Sequence, residues 1–161
     1  MDADTDTLNF LEDVSEASTA RDLVWRVMVV DDEPDVHRAT TFALSGMQIL
    51  GRSLEFLHAY SAAEASAMLQ TEADVAVVLL DVVMEREGAG LALIKTIRRE
   101  LGLTELRIIL RTGQPGYAPE IETIHDYDIN DYKTKSELTR TKLYAAVTAA
   151  LRTYEQIRKL D

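Results

Sequence analysis

The chain has 161 residues, with 28 acidic and 17 basic side chains, a formal net charge of −11 and no cysteine. This composition excludes a disulfide framework, a thiolate nucleophile and a cysteine-ligated metal, and it argues against direct binding to nucleic acid, which depends on Lys and Arg. Because no apolar run is long enough to cross a membrane and the N-terminus lacks the basic residues of a signal peptide, we expect no membrane insertion and a cytoplasmic location.

The acidic side chains are concentrated at the N-terminus. Residues 1–24 hold seven acidic side chains and one basic side chain, and their content of Asp, Ser, Thr and Ala predicts a poorly ordered leader. Residues 25–153 have the length and apolar content of one globular domain. Residues 154–161 extend the last predicted helix and could begin a linker.

Five short apolar runs alternate with segments of helical spacing. In chain order the runs are Arg26–Val30, Leu54–Ala59, Val75–Leu80, Arg107–Leu110 and Asp128–Lys133. The first, third and fourth are nearly continuous in aliphatic residues, which is typical of central strands buried on both faces. The pattern predicts an α/β fold: a doubly wound, five-stranded parallel sheet of order 2-1-3-4-5, flavodoxin-like, with helices on both faces.

Five helices are predicted between and after these strands. The first begins at Pro34, a favoured first helical position, and its buried face is predicted to comprise Val36, Ala39, Ala43 and Met47. Ser61 and Glu64 form a capping box for the second helix. The remaining helices begin near Gly90, Pro119 and Ser136.

Polar residues follow the predicted strands at their C-terminal ends, in chain order Asp31, Asp32, Asp81, Thr112 and Lys135. In this fold these ends share one edge, and ligands bind where the strand order reverses. Three carboxylates in one pocket repel each other unless a cation lies among them, and oxygen ligands of this kind suit Mg²⁺. With Lys135 and Thr112 beside it, Asp81 has the surroundings of a carboxylate nucleophile in phosphoryl transfer.

Each of these residues also has a purely structural interpretation. Asp31 and Asp32 could open a helix, since acidic residues stabilise the first turn. Asp81 and Thr112 could be turn residues, and Lys135 a solvated lysine. The histidines are expected to be surface or partly packed side chains rather than metal ligands, at positions His37, His58 and His125.

Four stretches match the motifs of a known family. VMVVDDEPDV, VVLLDVVM, ILRTG and NDYKTK resemble, in that order, the acidic pair, the phosphoacceptor strand, the hydroxyl and the aromatic-plus-lysine motif of the CheY-like receiver domain of bacterial two-component response regulators. The resemblance runs from about Trp25 to Thr153. Details of the loops also resemble receivers at the N-terminus of multidomain regulators with a cyclic-dinucleotide phosphodiesterase output.

The resemblance implies a phosphorylation-dependent signalling switch in a phosphorelay and not an enzyme acting on other substrates. Asp81 would accept a phosphoryl group from a sensor histidine kinase or a phosphotransfer protein. Mg²⁺ would be held by Asp31, Asp32, Asp81 and the backbone carbonyl of Val83.

The resemblance also assigns the residues that respond to the phosphoryl group. Thr112 and Lys135 would bind its oxygens, and Thr112 and Tyr132 would act as the switch residues. The surface offered to an output domain or partner would be the predicted fourth helix, fifth strand and fifth helix. A homodimer through the last helix is left open.

Departures from the family pattern leave alternatives. Ser136 follows Lys135 where the family usually has proline, so whether the bond between them is cis stays open. One rival function is a Mg²⁺-dependent phosphatase with an aspartyl nucleophile. Such enzymes usually carry a second acid two residues after the nucleophile, where this chain has Val83. The other rival is a receiver-like interaction module that is never phosphorylated.

Overall fold

The computed structural model describes residues 24–82, 84, 88–113, 121–134 and 139–160. The strands in this part of the chain are β1 (Val24–Val30), β2 (Gln48–Ile49), β3 (Arg52–Ala59), β4 (Val75–Asp81), β5 (Arg107–Thr112) and β6 (Asp131–Thr134). The helices are α1 (Pro34–Leu44), α2 (Ala62–Thr71), α3 (Ala89–Lys95), α4 (Ile121–Asp126) and α5 (Arg140–Lys159), and a π-helical turn (Thr96–Glu100) continues α3.

The strands form one sheet of order β2-β3-β1-β4-β5-β6. Strand β1 pairs in parallel with β3 and β4, and β5 pairs in parallel with β4 and β6. These five strands have the predicted order 2-1-3-4-5, so the predicted doubly wound α/β fold is confirmed. Their C-terminal ends share one edge, which is where this architecture binds ligands.

A sixth strand, β2, corrects the prediction of five. It pairs antiparallel with the start of β3 through a two-residue loop, Leu50-Gly51, in which both residues have positive φ, 49° and 78°. Two-residue hairpins of this kind are usually signalled by Asn-Gly or Asp-Gly, and Leu50 carries no such signal. Trp25 Nε1 donates a hydrogen bond of 2.7 Å to the Ile49 carbonyl, which ties the hairpin to β1.

Apolar side chains fill both faces of the sheet. Every residue of β4 and of β5 is buried, as expected of central strands. One face packs against α1 and α5, through Val27, Val29, Val77, Leu79, Ile109, Leu44, Leu143, Val147 and Leu151. The other packs against α2 and α3, through Met28, Val30, Val78, Leu80, Ile108, Leu110, Leu69, Leu93 and Ile94.

Helix α1 begins at Pro34 as predicted, and the predicted buried face is partly right, because Ala43 and Met47 pack partly buried against the core. The buried residues are His37, Thr40 and Leu44, whereas Ala39 is exposed and Met47 lies beyond the end of the helix. The two polar side chains of this face have partners at the sheet edge described below. Their hydrogen bonds therefore set the rotation of the helix, against its apolar pattern.

The helix starts agree with the prediction in one case and differ in another. Ser61 caps α2, with its side chain accepting a hydrogen bond of 3.1 Å from the Glu64 amide. Helix α5 starts at Arg140, with Thr139 as its cap, and not near Ser136. Helix α5 runs unbroken to Lys159 and so crosses the predicted boundary at residue 154. Tyr154 packs edge to face against Trp25, at 6.4 Å between ring centres. Residues 1–23 of the predicted leader lie outside the described residues.

Candidate functional site

Three carboxylates meet at the C-terminal edge of the sheet. Asp31 and Asp32 follow β1 and Asp81 ends β4, and one carboxylate oxygen from each lies within 4.8 Å of the others. Asp31 is fully buried and Asp81 is 2% exposed, whereas Asp32 is exposed. We call these three residues the acidic cluster. The structure thus brings together the three acidic side chains that the sequence placed at this edge.

Asp31 is fixed by hydrogen bonds to its backbone and its side chain. Its amide donates to the Ala59 carbonyl at 3.1 Å, and its Oδ1 accepts from the Glu33 amide at 2.9 Å. The second bond is an Asx-type turn that leads the chain into α1. The helix-start interpretation therefore applies to Asp31 together with its place in the acidic cluster.

A pair of histidines, His37 and His58, holds the backbone of Asp31. His37 Nε2 lies 2.8 Å from the Asp31 carbonyl oxygen, so this nitrogen carries the proton and donates. His37 Nδ1 lies 2.7 Å from His58 Nδ1, which means that in the neutral pair His58 donates and His37 accepts. Tyr60 stacks on the His37 ring at 4.2 Å. Burial lowers the pKa of His58 from its ordinary value, and the neighbouring His37 acts in the same direction.

His37 is 2% exposed, so the expectation of a surface or partly packed side chain was wrong for this residue. The expectation fits the half-buried His58 and the exposed His125. His37 is buried because both of its ring nitrogens have partners, which removes the cost of taking them out of water.

Gly90 lets α3 approach the end of β4. A Cβ atom at this position would lie 2.4 Å from the Asp81 carbonyl oxygen and 2.8 Å from the Val82 Cα, so only glycine fits. The Gly90 amide donates to the Val82 carbonyl at 3.3 Å. This contact holds the backbone of the residue that follows Asp81.

Thr112 and Tyr132 lie on the two strands beyond Asp81. Thr112 ends β5 and is fully buried. Tyr132 is partly buried on β6, in register with Leu110, and packs against the core on the side of α2 and α3. Val83 and Lys135 lie outside the described residues, as does the bond between Lys135 and Ser136.

Arg111 is a site residue that the sequence reasoning missed. It is the register partner of Asp81 on the neighbouring parallel strand, so both side chains extend from the same face of the sheet. The side chain is 3% exposed, and its Nη1 donates to Thr40 Oγ1 at 2.8 Å. Burial lowers the pKa of Arg111, and the charges of Asp31 and Asp81 act in the opposite direction. The available signal was a charged residue between an apolar run and Thr112, but the predicted strand ended one residue earlier.

The donor set of the acidic cluster fits Mg²⁺. All three residues offer carboxylate oxygens, with no sulfur or imidazole in the cluster, and Mg²⁺ prefers oxygen ligands and keeps part of its water shell. Asp32 is the exposed member, so a hydrated ion can approach from that side.

Within the described residues, no helix is long and apolar enough to cross a membrane.

Comparison with known proteins gives a consistent result. Residues 27–148 match the family described as the response regulator receiver domain. The chain is 44% identical over 133 residues to the 3′3′-cGAMP-specific phosphodiesterase 2 of Vibrio cholerae. That match covers 83% of this chain and 26% of the relative, so the chain spans about a quarter of that protein.

Solved structures show the same fold. A CheY-like receiver domain from Methanospirillum hungatei has a TM-score of 0.64 at 20% identity, with 83% of this chain and 98% of that chain covered. The receiver domain of an HD domain-containing protein from Pseudomonas fluorescens has a TM-score of 0.66 at 21% identity, with 84% and 92% covered.

Proposed function

The chain belongs to the response regulator receiver domain family, and from this premise we propose that it is a phosphorylation-dependent switch with Asp81 as the phosphoryl acceptor. One observation carries the proposal: Asp81 is buried at the C-terminal end of a central strand, with carboxylate oxygens of Asp31 and Asp32 within 4.8 Å. Three carboxylates this close repel each other, and the charge of Arg111, which attracts Asp31 and Asp81, leaves negative charge that a divalent cation can neutralise.

The proposed donor is the phosphohistidine of a sensor kinase or phosphotransfer protein. A carboxylate oxygen of Asp81 forms the new O–P bond as the N–P bond breaks. The imidazole nitrogen keeps the electron pair of the broken bond, and a ring protonated at its other nitrogen leaves as neutral imidazole. Asp31, Asp32, Asp81 and the carbonyl of Val83 would hold Mg²⁺, which when bound neutralises charge on the phosphoryl oxygens.

Thr112 couples the phosphoryl group to the rest of the fold in this proposal. Its hydroxyl donates to a phosphoryl oxygen, and Lys135 binds another. A hydrogen bond to a charged group contributes about 1.5–3 kcal/mol, which shifts a two-state equilibrium roughly 10- to 100-fold. Thr112 lies beside β6, and Tyr132 packs in the same core cluster as Ile124 and Tyr127. The responding surface is therefore assigned to α4, β6 and α5.

The output is proposed from the Vibrio cholerae relative. Because this chain is 44% identical to one quarter of a phosphodiesterase that acts on a cyclic dinucleotide, we assign it to regulation of an output of that class in the cytoplasm. The chain itself would catalyse only its own phosphorylation and dephosphorylation. A homodimer through α5 stays a prediction.

Incubation with acetyl phosphate and Mg²⁺, read by intact mass, tests the acceptor chemistry. The wild type should gain the mass of one phosphoryl group, and chelation of Mg²⁺ should prevent the gain. Asp81→Asn should gain nothing under either condition. A wild type that never gains the mass would contradict the proposal.

A further inference from the structure

Arg111 places an unsatisfied cation inside the proposed acceptor site. Its Nη1 is anchored on Thr40, whereas its Nε and Nη2 have no hydrogen-bond partner in the part of the chain that the structure describes. Buried donors without partners are costly and uncommon. A guanidinium in this state indicates that a ligand completes it.

The unsatisfied atoms define the kind of ligand. Nε–H and Nη2–H lie on one edge of the guanidinium and point in parallel, and this edge binds two oxygens of a carboxylate or phosphoryl group at once. Arg111 is in register with Asp81, and Asp31 follows the next strand of the sheet, β1. The Nε–Nη2 edge of the guanidinium therefore belongs to a side chain that lies at the same level of the sheet as Asp81.

We propose, on the basis of the proposed function, that Arg111 is a phosphoryl-binding residue whose Nε and Nη2 take two oxygens of the group carried by Asp81. Thr40 positions it by holding Nη1. This contact is additional to those of Thr112 and Lys135, and it would stabilise the phosphorylated state directly.

The change in charge on phosphorylation supports this assignment. The reaction replaces one carboxylate charge on Asp81 with a phosphoryl group of about −1.5 to −2. A fixed buried cation is attracted more strongly by the second state than by the first. Arg111 thus favours the phosphorylated form, even though Asp31 and Asp81 already attract it beforehand.

Beryllofluoride, an analogue of the phosphoryl group, tests the inference by calorimetric titration. The Mg²⁺ affinity of each variant is measured first, so that beryllofluoride is then added at saturating Mg²⁺. Arg111→Gln should weaken beryllofluoride binding about 10- to 100-fold, because it removes charge-assisted hydrogen bonds. Arg111→Lys should fall between the two, since lysine keeps the charge but lacks the fork. Arg152→Gln, at an exposed position of α5, removes the same charge and should bind as the wild type does.

Thr40→Val keeps the experiment decisive if the arginine variants fail to fold. Loss of the anchor should weaken beryllofluoride binding by about threefold or more, because the guanidinium loses one of the hydrogen bonds that hold it in position. Unchanged beryllofluoride affinity in Arg111→Gln, or in Thr40→Val where only that variant folds, would overturn the inference. Arg111 would then be only a counter-charge for the carboxylates, and the only effect of Arg111→Gln would be tighter Mg²⁺ binding. A wild type that binds no beryllofluoride would instead contradict the proposed function.

Discussion

His37 Nε2 donates a hydrogen bond of 2.8 Å to the carbonyl oxygen of Asp31. The buried imidazole thereby fixes the backbone that carries one of the carboxylates of the acidic cluster. Because the other ring nitrogen binds His58, the ring cannot rotate without losing a partner. The histidine pair thus supports the acidic cluster through the backbone of Asp31 and not through its carboxylate.

Replacement of His37 by phenylalanine should weaken Mg²⁺ binding several-fold. The aromatic ring fills the same space but cannot donate to the Asp31 carbonyl, so the loop that presents Asp31 and Asp32 loses one of its restraints. Calorimetric titration with Mg²⁺ measures the effect. His125→Phe, at an exposed position of α4, is the control and should leave the affinity unchanged. Equal affinities in the wild type and His37→Phe would show that the bond is irrelevant to the cluster.

His58 should make the stability of the fold depend on pH. Its pKa is lowered in the folded state by burial and by His37, so the unfolded chain, in which the histidine has a pKa of about 6.5, binds the proton more readily. The contribution of neutral His58 to the free energy of unfolding is therefore constant above about pH 6.5 and is lost as the pH falls from there towards the lower pKa of the folded state. Urea unfolding at neutral pH and about one unit below pH 6.5 should show a larger loss for the wild type than for His58→Gln. Parallel losses in both proteins would contradict this.

Gly90→Ala should disturb the acceptor strand as well as the fold. The added Cβ would lie 2.4 Å from the Asp81 carbonyl oxygen, and relief of such overlap typically costs about 1–3 kcal/mol of stability. Since the strain acts on the backbone of Asp81, Mg²⁺ affinity should fall too. Gly46→Ala is the comparison, because its φ of 73° makes the substitution strained while nothing lies within 4 Å of the new atom. It should lose stability and keep its Mg²⁺ affinity, and a similar loss of affinity in both variants would refute the local effect.

Asp32→Asn should lower Mg²⁺ affinity without unfolding the chain. Asp32 is the exposed member of the acidic cluster, so its substitution removes a ligand charge and disturbs no packing. Asp35→Asn removes an equally negative side chain from the first turn of α1, outside the cluster, and controls for net charge. We expect weaker Mg²⁺ binding in the first variant alone, and equal weakening in both would reduce the effect to long-range electrostatics.

The sequence was sufficient to predict the parallel sheet and the residues at the C-terminal edge of its central strands. Continuous aliphatic runs identify central strands, and the common C-terminal edge of such a sheet then brings Asp31, Asp81 and Thr112 to one side whatever the loops do. Side-chain packing and register were not needed for that step.

The features that were missed depend on partners far apart in the chain. The predicted face of α1 omitted His37 and Thr40, because they are held by Asp31 and Arg111, which an apolar pattern cannot show. Strand β2 was missed because Leu50-Gly51 is an unusual hairpin loop. Arg111 was missed because its role depends on register with Asp81. Two of these failures lie at the proposed site, where local preference is most often overridden.

The position of the phosphoryl group tests directly whether Asp81 is the acceptor. After reaction with acetyl phosphate and Mg²⁺, treatment with borohydride converts an aspartyl phosphate to homoserine, which peptide mass spectrometry locates. We expect homoserine to replace Asp81 alone, and Asp81→Asn to yield none. Homoserine at any other aspartate, or a phosphorylated chain with Asp81 unchanged, would contradict this assignment.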